Sequence, residues 1–410
     1  MFDPYKIRKD FPMYTNKVKM QGHNLVFLDN ASTTFKPQCV IDAITEYNAY
    51  VTSNSGRGDY DTMYANDQKI LETRKTIASF INADPDEIVF TSGDTASLNL
   101  AAFGYFKNHL KKDDEILITV AEHASNTLPW FKLQKEIGCK VNFIKLTEEG
   151  RLTLENVKAA VTSKTRVISV ADVSNVLGFH TDLKSICEFA HKNNILVVVD
   201  GAQSVPHQKT DVKENSIDFL AFSGHKMLGP TGIGVLFGRK ELLEETEPII
   251  FGGGMNETFE MNGEYVLHKA PAKLEAGTLN IEGIYGLDAA VKYIQNIGID
   301  NILKHEQELR AYAIKRMKEV KDIIIYNETA EASIISFNIK GVFAQDLATL
   351  LNSKGIACRS GNHCAKILKN QIKEIATVRA SFYLYNTKED VDALVEALKE
   401  GGNFLDAYFA

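Results

Sequence analysis

The residues best placed to do chemistry are Asp200, Gln203, Ser223, His225 and Lys226, which close two short apolar runs within ILVVVDGAQSVPHQKTDVKENSIDFLAFSGHK, residues 195–226. The runs Leu196–Val199 and Asp218–Phe222 are rich in Val, Leu and Phe and stop abruptly at small or polar residues. Runs of that length and composition read as fully buried parallel strands. In open α/β sheets, ligands bind just outside the carboxyl ends of the strands, so all five side chains are expected to face one crevice. A carboxylate closing an all-apolar strand is costly unless something cationic stands opposite it. A lysine whose pKa is depressed by burial or a neighbouring cation can form a Schiff base. Together, Asp200 and Lys226 suggest a site for an aromatic cofactor bound as a Schiff base, with the acid against a pyridinium nitrogen to strengthen the ring as an electron sink. Taken singly, each also reads as an ordinary turn cap or a surface lysine.

Further groups fall at strand ends. TSGDTAS, residues 91–97, is a strand-to-helix turn whose backbone N–H groups, with Thr95, can cradle a phosphate alongside Ser223 and His225. Ser and Thr are equally common as helix caps, so the motif is weak alone. His123 in AEHASN could stack on a planar cofactor and move protons, or be a structural histidine. Cys364 in RSGNHCA lies on a polar loop that suits a reactive thiol, unlike the core-like Cys139 and Cys187. His363 and Cys364 are adjacent, a poor spacing for a metal. Arg57 in SNSGRGDYD could meet an anion or be solvated.

The elements that must position these groups alternate from about residue 87. EIVF, EILITV, KVNFIKL and RVISVADVSN read as strands, with helices between them, which indicates βαβ units and a mostly parallel sheet covered on both faces. Around residues 252–280 the pattern dissolves into glycines and a hairpin or loop. One long helical region is expected from near Ile284 through Val320, with Leu309, Tyr312, Ala313, Met317 and Val320 on its apolar face. IIIY, ASIISFNI, AQDLATLLNSKG, IACRS, TVRASFYLY and KEDVDALVEAL then describe a small α+β domain. The segment before residue 25 is expected to wrap the surface.

Length fits two domains, since 410 residues exceed the usual ~100–200 per domain. The expected division is a large α/β domain over 25–285 and a small α+β domain, formed by 1–24 and 286–410, that carries the Cys364 loop. With 44% hydrophobic and 24% charged residues the composition is that of an ordinary globular protein. The net charge of -7 and the absence of a basic stripe argue against nucleic acid. No apolar run approaches the ~20 residues that span a bilayer, and the N-terminus lacks a signal-peptide core, so a cytoplasmic protein without a membrane role is expected. Five scattered cysteines without Cys-x-x-Cys argue against a disulfide framework or structural zinc on spacing grounds.

The ordered set LDNAS, TSGDTASLNL, EHASN, VSNVLG, VVDGAQ, FSGHKMLGPTGIG, GGG, LEAGTLN, RSGNHCA and VRASFYLYNT resembles the SufS-like cysteine desulfurases of the class V aminotransferase superfamily, a group that includes selenocysteine lyases. The likeness covers nearly the whole chain, and the short loop into Cys364 is similar to the SufS-like group rather than to the longer-looped IscS and NifS group. It implies a fold-type I α/β transferase that depends on pyridoxal 5'-phosphate, with a mostly parallel seven-stranded sheet, working as a homodimer. By resemblance, Lys226 holds the cofactor, Asp200 pairs with the ring nitrogen, Gln203 meets the ring hydroxyl and His123 stacks on the ring. Thr95, Asp94 through its N–H, Ser223 and His225 bind the phosphate, with Thr278 reaching it from the other subunit. Asn175 and Arg379 hold the substrate carboxylate, with Arg359 and Arg57 nearby. Lys226 takes the Cα proton of L-cysteine, and Cys364 accepts the sulfur as a persulfide for iron–sulfur cluster assembly through a SufE- or SufU-like acceptor. A free thiol titrates at ~8.5, so His123 or Arg359 is expected to help Cys364 ionise as a neighbouring cation. Alternatives within the fold are a selenocysteine lyase or another β-eliminating or transaminating enzyme; outside it, a persulfide carrier without catalysis. The chain departs from the pattern His-Arg-Gly-x-His, having Gly56 and Tyr60 for the histidines, and has Asn362 for a usual histidine. Asp94 is a further departure, an acid beside the phosphate, and is expected to turn its side chain away.

Overall fold

In a computed structural model, residues 2–56 and 58–400 are described. Seven strands form the main sheet: β1 (Ile88–Thr91), β2 (Glu115–Thr119), β3 (Lys140–Ile144), β4 (Thr165–Ala171), β5 (Leu196–Asp200), β6 (Phe219–Ser223) and β7 (Gly234–Gly238). Their spatial order is β1-β7-β6-β5-β4-β2-β3. Only β7 runs against its neighbours, β6 and β1, and the other pairings are parallel.

The period-2 alternation of these strands divides their side chains between two cores. Ile88, Phe90, Leu117, Ile168, Val170, Val197, Val199, Leu220 and Phe222 join one apolar cluster, while Val89, Ile116, Ile118, Val167, Val198, Phe219, Ala221 and Leu236 join the other. Each such fully buried side chain contributes about 2 kcal/mol. This is why β5 and β6 carry unbroken apolar runs that meet polar residues only at their carboxyl ends. Gly234 tightens one of those ends. A Cβ there would lie 2.5 Å from the Cα of Gly93, so the turn into Asp94 can rest directly on β7.

A second sheet, antiparallel throughout, contains β8 (Ile323–Ile325), β9 (Ile334–Ile339), β10 (Arg359–Gly361) and β11 (Thr377–Ser381) in the order β8-β9-β11-β10. Val26–Phe27 pairs in parallel with Ile356–Ala357, and Asp29 bridges to Ser381. These links hold the LDNAS segment against the edge of the small sheet.

Two sequence expectations change. The long helical region is two helices, Ile281–Ile297 and Ile299–Met317, broken at Gly298 with φ 89°. The first spans residue 285 and packs on the helices Gln38–Glu46 and Asp61–Ile81. The N-terminal segment does more than wrap the surface: Phe11 is fully buried, edge-on to Tyr293 and Tyr385. Among the described residues, no helix is long and apolar enough to cross a membrane.

Candidate active site

Strand ends from both sheets converge on one cavity of about 180 Å³. The main sheet and its connections supply Asp94, Thr95, His123, Ser125, Asn175, Ser223, His225 and Lys226; the small sheet and its loops supply Arg359, His363, Cys364 and Arg379, with Ala31 and Ser32 from the LDNAS segment. Lys226 ends a single helical turn, Gly224–Lys226, that follows β6 directly. Lys226 and Cys364, 138 positions apart in sequence (364 − 226), therefore border the same space.

On the main-sheet side, hydroxyls and an imidazole form a chain. Thr95 Oγ1 and Ser125 Oγ are 2.7 Å apart, and Ser125 Oγ is 3.0 Å from His123 Nδ1. The Ser125 N–H also donates to Nδ1 at 3.1 Å, so Nδ1 is an acceptor and the neutral ring carries its proton on Nε2. Burial, reinforced by Lys226 and opposed by Asp200, lowers the His123 pKa. His123 thus faces the cavity as a neutral imidazole, not as the cation expected beside Cys364. His225 is likewise held neutral: burial, then Lys226 and Lys36, lower it to about 4.

Asp200 is buried, and its Oδ1 accepts the Ala202 N–H at 3.0 Å, the turn cap that its position allowed. It does not line the cavity but is near enough to act on Asp94, His123 and Glu122. Gln203, expected at a ring hydroxyl, donates to the Ala31 carbonyl at 2.7 Å and borders a small separate cavity with His207 and Glu306. Asp94 does not turn its side chain outward. Its N–H is taken by Ser223 Oγ at 2.8 Å, and its carboxyl is buried at the cavity.

The small-sheet side is built around two arginines. Arg359 and Arg379 are directly opposed across β10 and β11. Like charges in that register repel unless an anion relieves them. Asp29 does so in part: Arg379, only 2% exposed, donates to Asp29 Oδ1 at 3.1 Å, to Ser32 Oγ at 2.8 Å and to the Asn175 carbonyl at 2.9 Å. Arg359 donates to the same Ser32 Oγ at 2.6 Å. Arg379 Nε is buried without a partner. The pair leaves positive charge and unused donors for a small carboxylate. Asn175 borders the cavity, but its side chain donates to the His363 carbonyl at 2.8 Å.

Cys364 is exposed at the cavity rim with φ 58°, following His363 with φ 50°. Its carbonyl accepts the Ala124 N–H at 2.8 Å. His363 Nε2 donates to the Thr377 carbonyl at 3.1 Å. Asn362 is bound away from the cavity, to the Ile375 carbonyl. Thr278 lies apart from this site, exposed in a cleft of about 310 Å³ with Ser92, Gly232 and Ile250. Arg57 lies outside the described residues.

Sequence reasoning assigned no role to Asp29, Ser32, Ser125 or Glu122. LDNAS and EHASN were the available signals, as polar residues directly after strands. Glu122 is buried behind His123 and accepts from Thr119 Oγ1 at 2.6 Å, Asn126 Nδ2 at 2.8 Å and the Ala171 N–H at 2.9 Å. Burial outweighs these bonds and, with Asp200 adding to it, pushes the carboxyl up to about 7. A carboxyl raised on folding contributes stability that is complete below its unfolded pKa of ~4.3 and is lost as pH rises through the folded value. By alkaline pH the loss is about 3 kcal/mol. Glu122→Gln removes it, because Thr119 can reverse its hydroxyl toward the amide. Thermal unfolding should show the variant matching the native protein in mild acid and exceeding it in mild alkali. Parallel pH curves would refute this account.

The family model for class-V aminotransferases matches residues 26–394. A probable cysteine desulfurase from Halalkalibacterium halodurans is 42% identical over 408 residues, covering 99% of both chains. Among solved structures, the cysteine desulfurase CsdA of Escherichia coli, in an S-sulfonic acid form, is similar with a TM-score of 0.91 and 35% identity, covering 99% of both chains. An apo cysteine desulfurase from Thermococcus onnurineus NA1 is similar with a TM-score of 0.92 and 36% identity over 98% of both chains.

Proposed function

This chain belongs to the class-V aminotransferase family, and from that premise we propose how it works as a pyridoxal-phosphate-dependent cysteine desulfurase. The observation that carries the reading is that Lys226 and Cys364 border one cavity with paired arginines. The donor set fits the cofactor: an amine for its aldehyde, hydroxyls at Thr95 and Ser223 for its phosphate, and a buried carboxylate at Asp200 for its ring nitrogen. The cofactor, when bound, supplies an electron sink for charge developing at the substrate Cα.

The chain's own groups do the rest. Lys226 would hold the cofactor through Nζ and, once the amino group of L-cysteine has displaced it there, its freed amine takes the Cα proton. Neutral His123 presents its ring and its Nε2–H. Arg379 and Arg359, with Asn175, orient the carboxylate of L-cysteine; Arg379 is pre-set because Asp29 and the Asn175 carbonyl fix its plane. The Cys364 thiolate attacks the substrate sulfur. An S–S bond forms as the Cβ–S bond breaks and the electron pair goes to Cβ, which takes up one proton, while Lys226 returns the other to Cα to complete alanine. The sulfur stays on Cys364 as a persulfide.

We infer further that Thr278 serves the site of a second subunit, since it is exposed away from its own cavity. The large domain, 25–285, then supplies the cofactor groups and the segment 286–410 supplies the thiol loop. A small SufE- or SufU-like acceptor fits the short Cys364 loop, with iron–sulfur assembly as the destination. The test is a single turnover with L-cysteine. Alanine should appear in proportion to enzyme, and the Cys364 peptide should gain the mass of one sulfur atom. Alanine release with an unmodified Cys364 peptide, in the absence of any reductant, would overturn the role of the thiol.

A further inference from the structure

Two carboxyls approach the lysine end of the cavity where the proposed chemistry requires one. Asp200 has the ring nitrogen as its partner. Asp94 has none. It is 6% exposed, its Oδ1 has no hydrogen-bond partner, and it borders the cavity beside Thr95, Ser223 and Lys226. Its backbone is fixed there, because its N–H is bound to Ser223 Oγ and the preceding Gly93 rests against Gly234 of β7. An orphan carboxyl within a built pocket is a group placed to meet a ligand.

We propose that Asp94 lines the cofactor pocket as an uncharged carboxylic acid, and that an anionic, phosphorylated cofactor is held tightly only while that proton is in place. The inference rests on the cofactor reading above and extends it from the N–H of Asp94 to its side chain. As an acid, Asp94 can donate an O–H to a phosphate oxygen; as a carboxylate it can only accept, and it repels the phosphate.

The charges facing Asp94 favour the acid. Asp200, at the end of β5, opposes a second negative charge, and Lys226, after β6, favours the carboxylate but offsets that effect only in part. Burial is the largest influence, and Asp94 titrates well above the ordinary carboxyl range. His225 and His123, from the two neighbouring turns, are neutral and do not compensate it, and Arg379 is engaged by Asp29. When the free protein has lost the Asp94 proton, cofactor binding must take one up from solvent. Affinity should then fall about tenfold per pH unit.

The experiment compares the holoprotein with its Asp94→Asn variant, which keeps shape and a donor but cannot ionise. Each is diluted to equilibrium across a pH series, and bound pyridoxal phosphate is read from its visible absorbance. The ratio of the two dissociation constants cancels the titration of Lys226, His225 and the phosphate itself. The ratio is expected to stay within about threefold in acid and then to grow about tenfold per pH unit in favour of the variant. A ratio independent of pH overturns the proposal. Pyridoxal, which lacks the phosphate, provides the second arm. With it the ratio should stay flat; an equal slope would place the proton's effect on the ring and overturn the phosphate contact. If neither protein develops visible absorbance with the cofactor at any pH, the cofactor reading of the cavity fails, and this proposal fails with it.

Discussion

Cys364→Ala is expected to keep its cofactor colour and to lose alanine release from L-cysteine. Loss of a nucleophile costs up to about 10⁶-fold in turnover. Here no nearby group can substitute, because His363 beside it is buried and bonded to Thr377, and the imidazole of His123 carries no thiol chemistry. The proposed cofactor contacts lie on the main sheet and do not involve Cys364, so binding and reactivity are expected to separate. L-selenocysteine makes the second half of the measurement, since selenium can leave without a thiol acceptor. A variant inactive on cysteine but active on selenocysteine supports the desulfurase assignment. Unchanged turnover of cysteine would remove Cys364 from the mechanism and favour a β-eliminating enzyme.

Lys226→Ala should fail differently. Without Nζ there is no covalent attachment, so borohydride reduction should no longer fix the cofactor to the chain. Loss of the Cα proton acceptor alone costs about 10²–10⁴-fold, and His123 is not poised to replace it while its Nε2 is protonated. Added alkylamines should restore part of the rate if proton transfer is the missing function. A variant that retains reducible cofactor and normal turnover would place the Schiff base on another lysine. Lys36 is one such lysine, half-buried and lowered by burial to about 8, but its Nζ is directed to the Thr34 and His225 carbonyls.

The main sheet was legible because burial on both faces leaves a simple trace: apolar runs that end where water or ligand begins. Ser223, His225 and Lys226 could be assigned to one crevice from that trace alone. The arginine pair was not legible as a pair. Arg359 and Arg379 are 20 positions apart (379 − 359) and meet only through the antiparallel register of β10 and β11. The same holds for Asp29, whose partner Arg379 is brought to it by a strand bridge between distant segments. Gly298 was missed as a helix break because the apolar periodicity continues across it. Asp94 is the opposite case: its position was readable, but the direction of its side chain depends on Ser223 capturing its N–H, a contact across 129 residues.

The loop that carries Cys364 bears on how sulfur can leave this enzyme. Two successive left-handed residues are held by bonds to separate elements: Cys364 through its carbonyl to Ala124, His363 through its carbonyl to Asn175 and through its ring to Thr377. Each non-glycine residue in that conformation costs about 1–2 kcal/mol, which the surrounding bonds must outweigh. Such a loop is a berth rather than a crane. A persulfide formed there has only the length of one side chain with which to travel, so the receiving thiol must be carried inward to the rim of the cavity. For the protein acceptor proposed above, delivery over distance would then fall to the acceptor's own reach and not to the enzyme's.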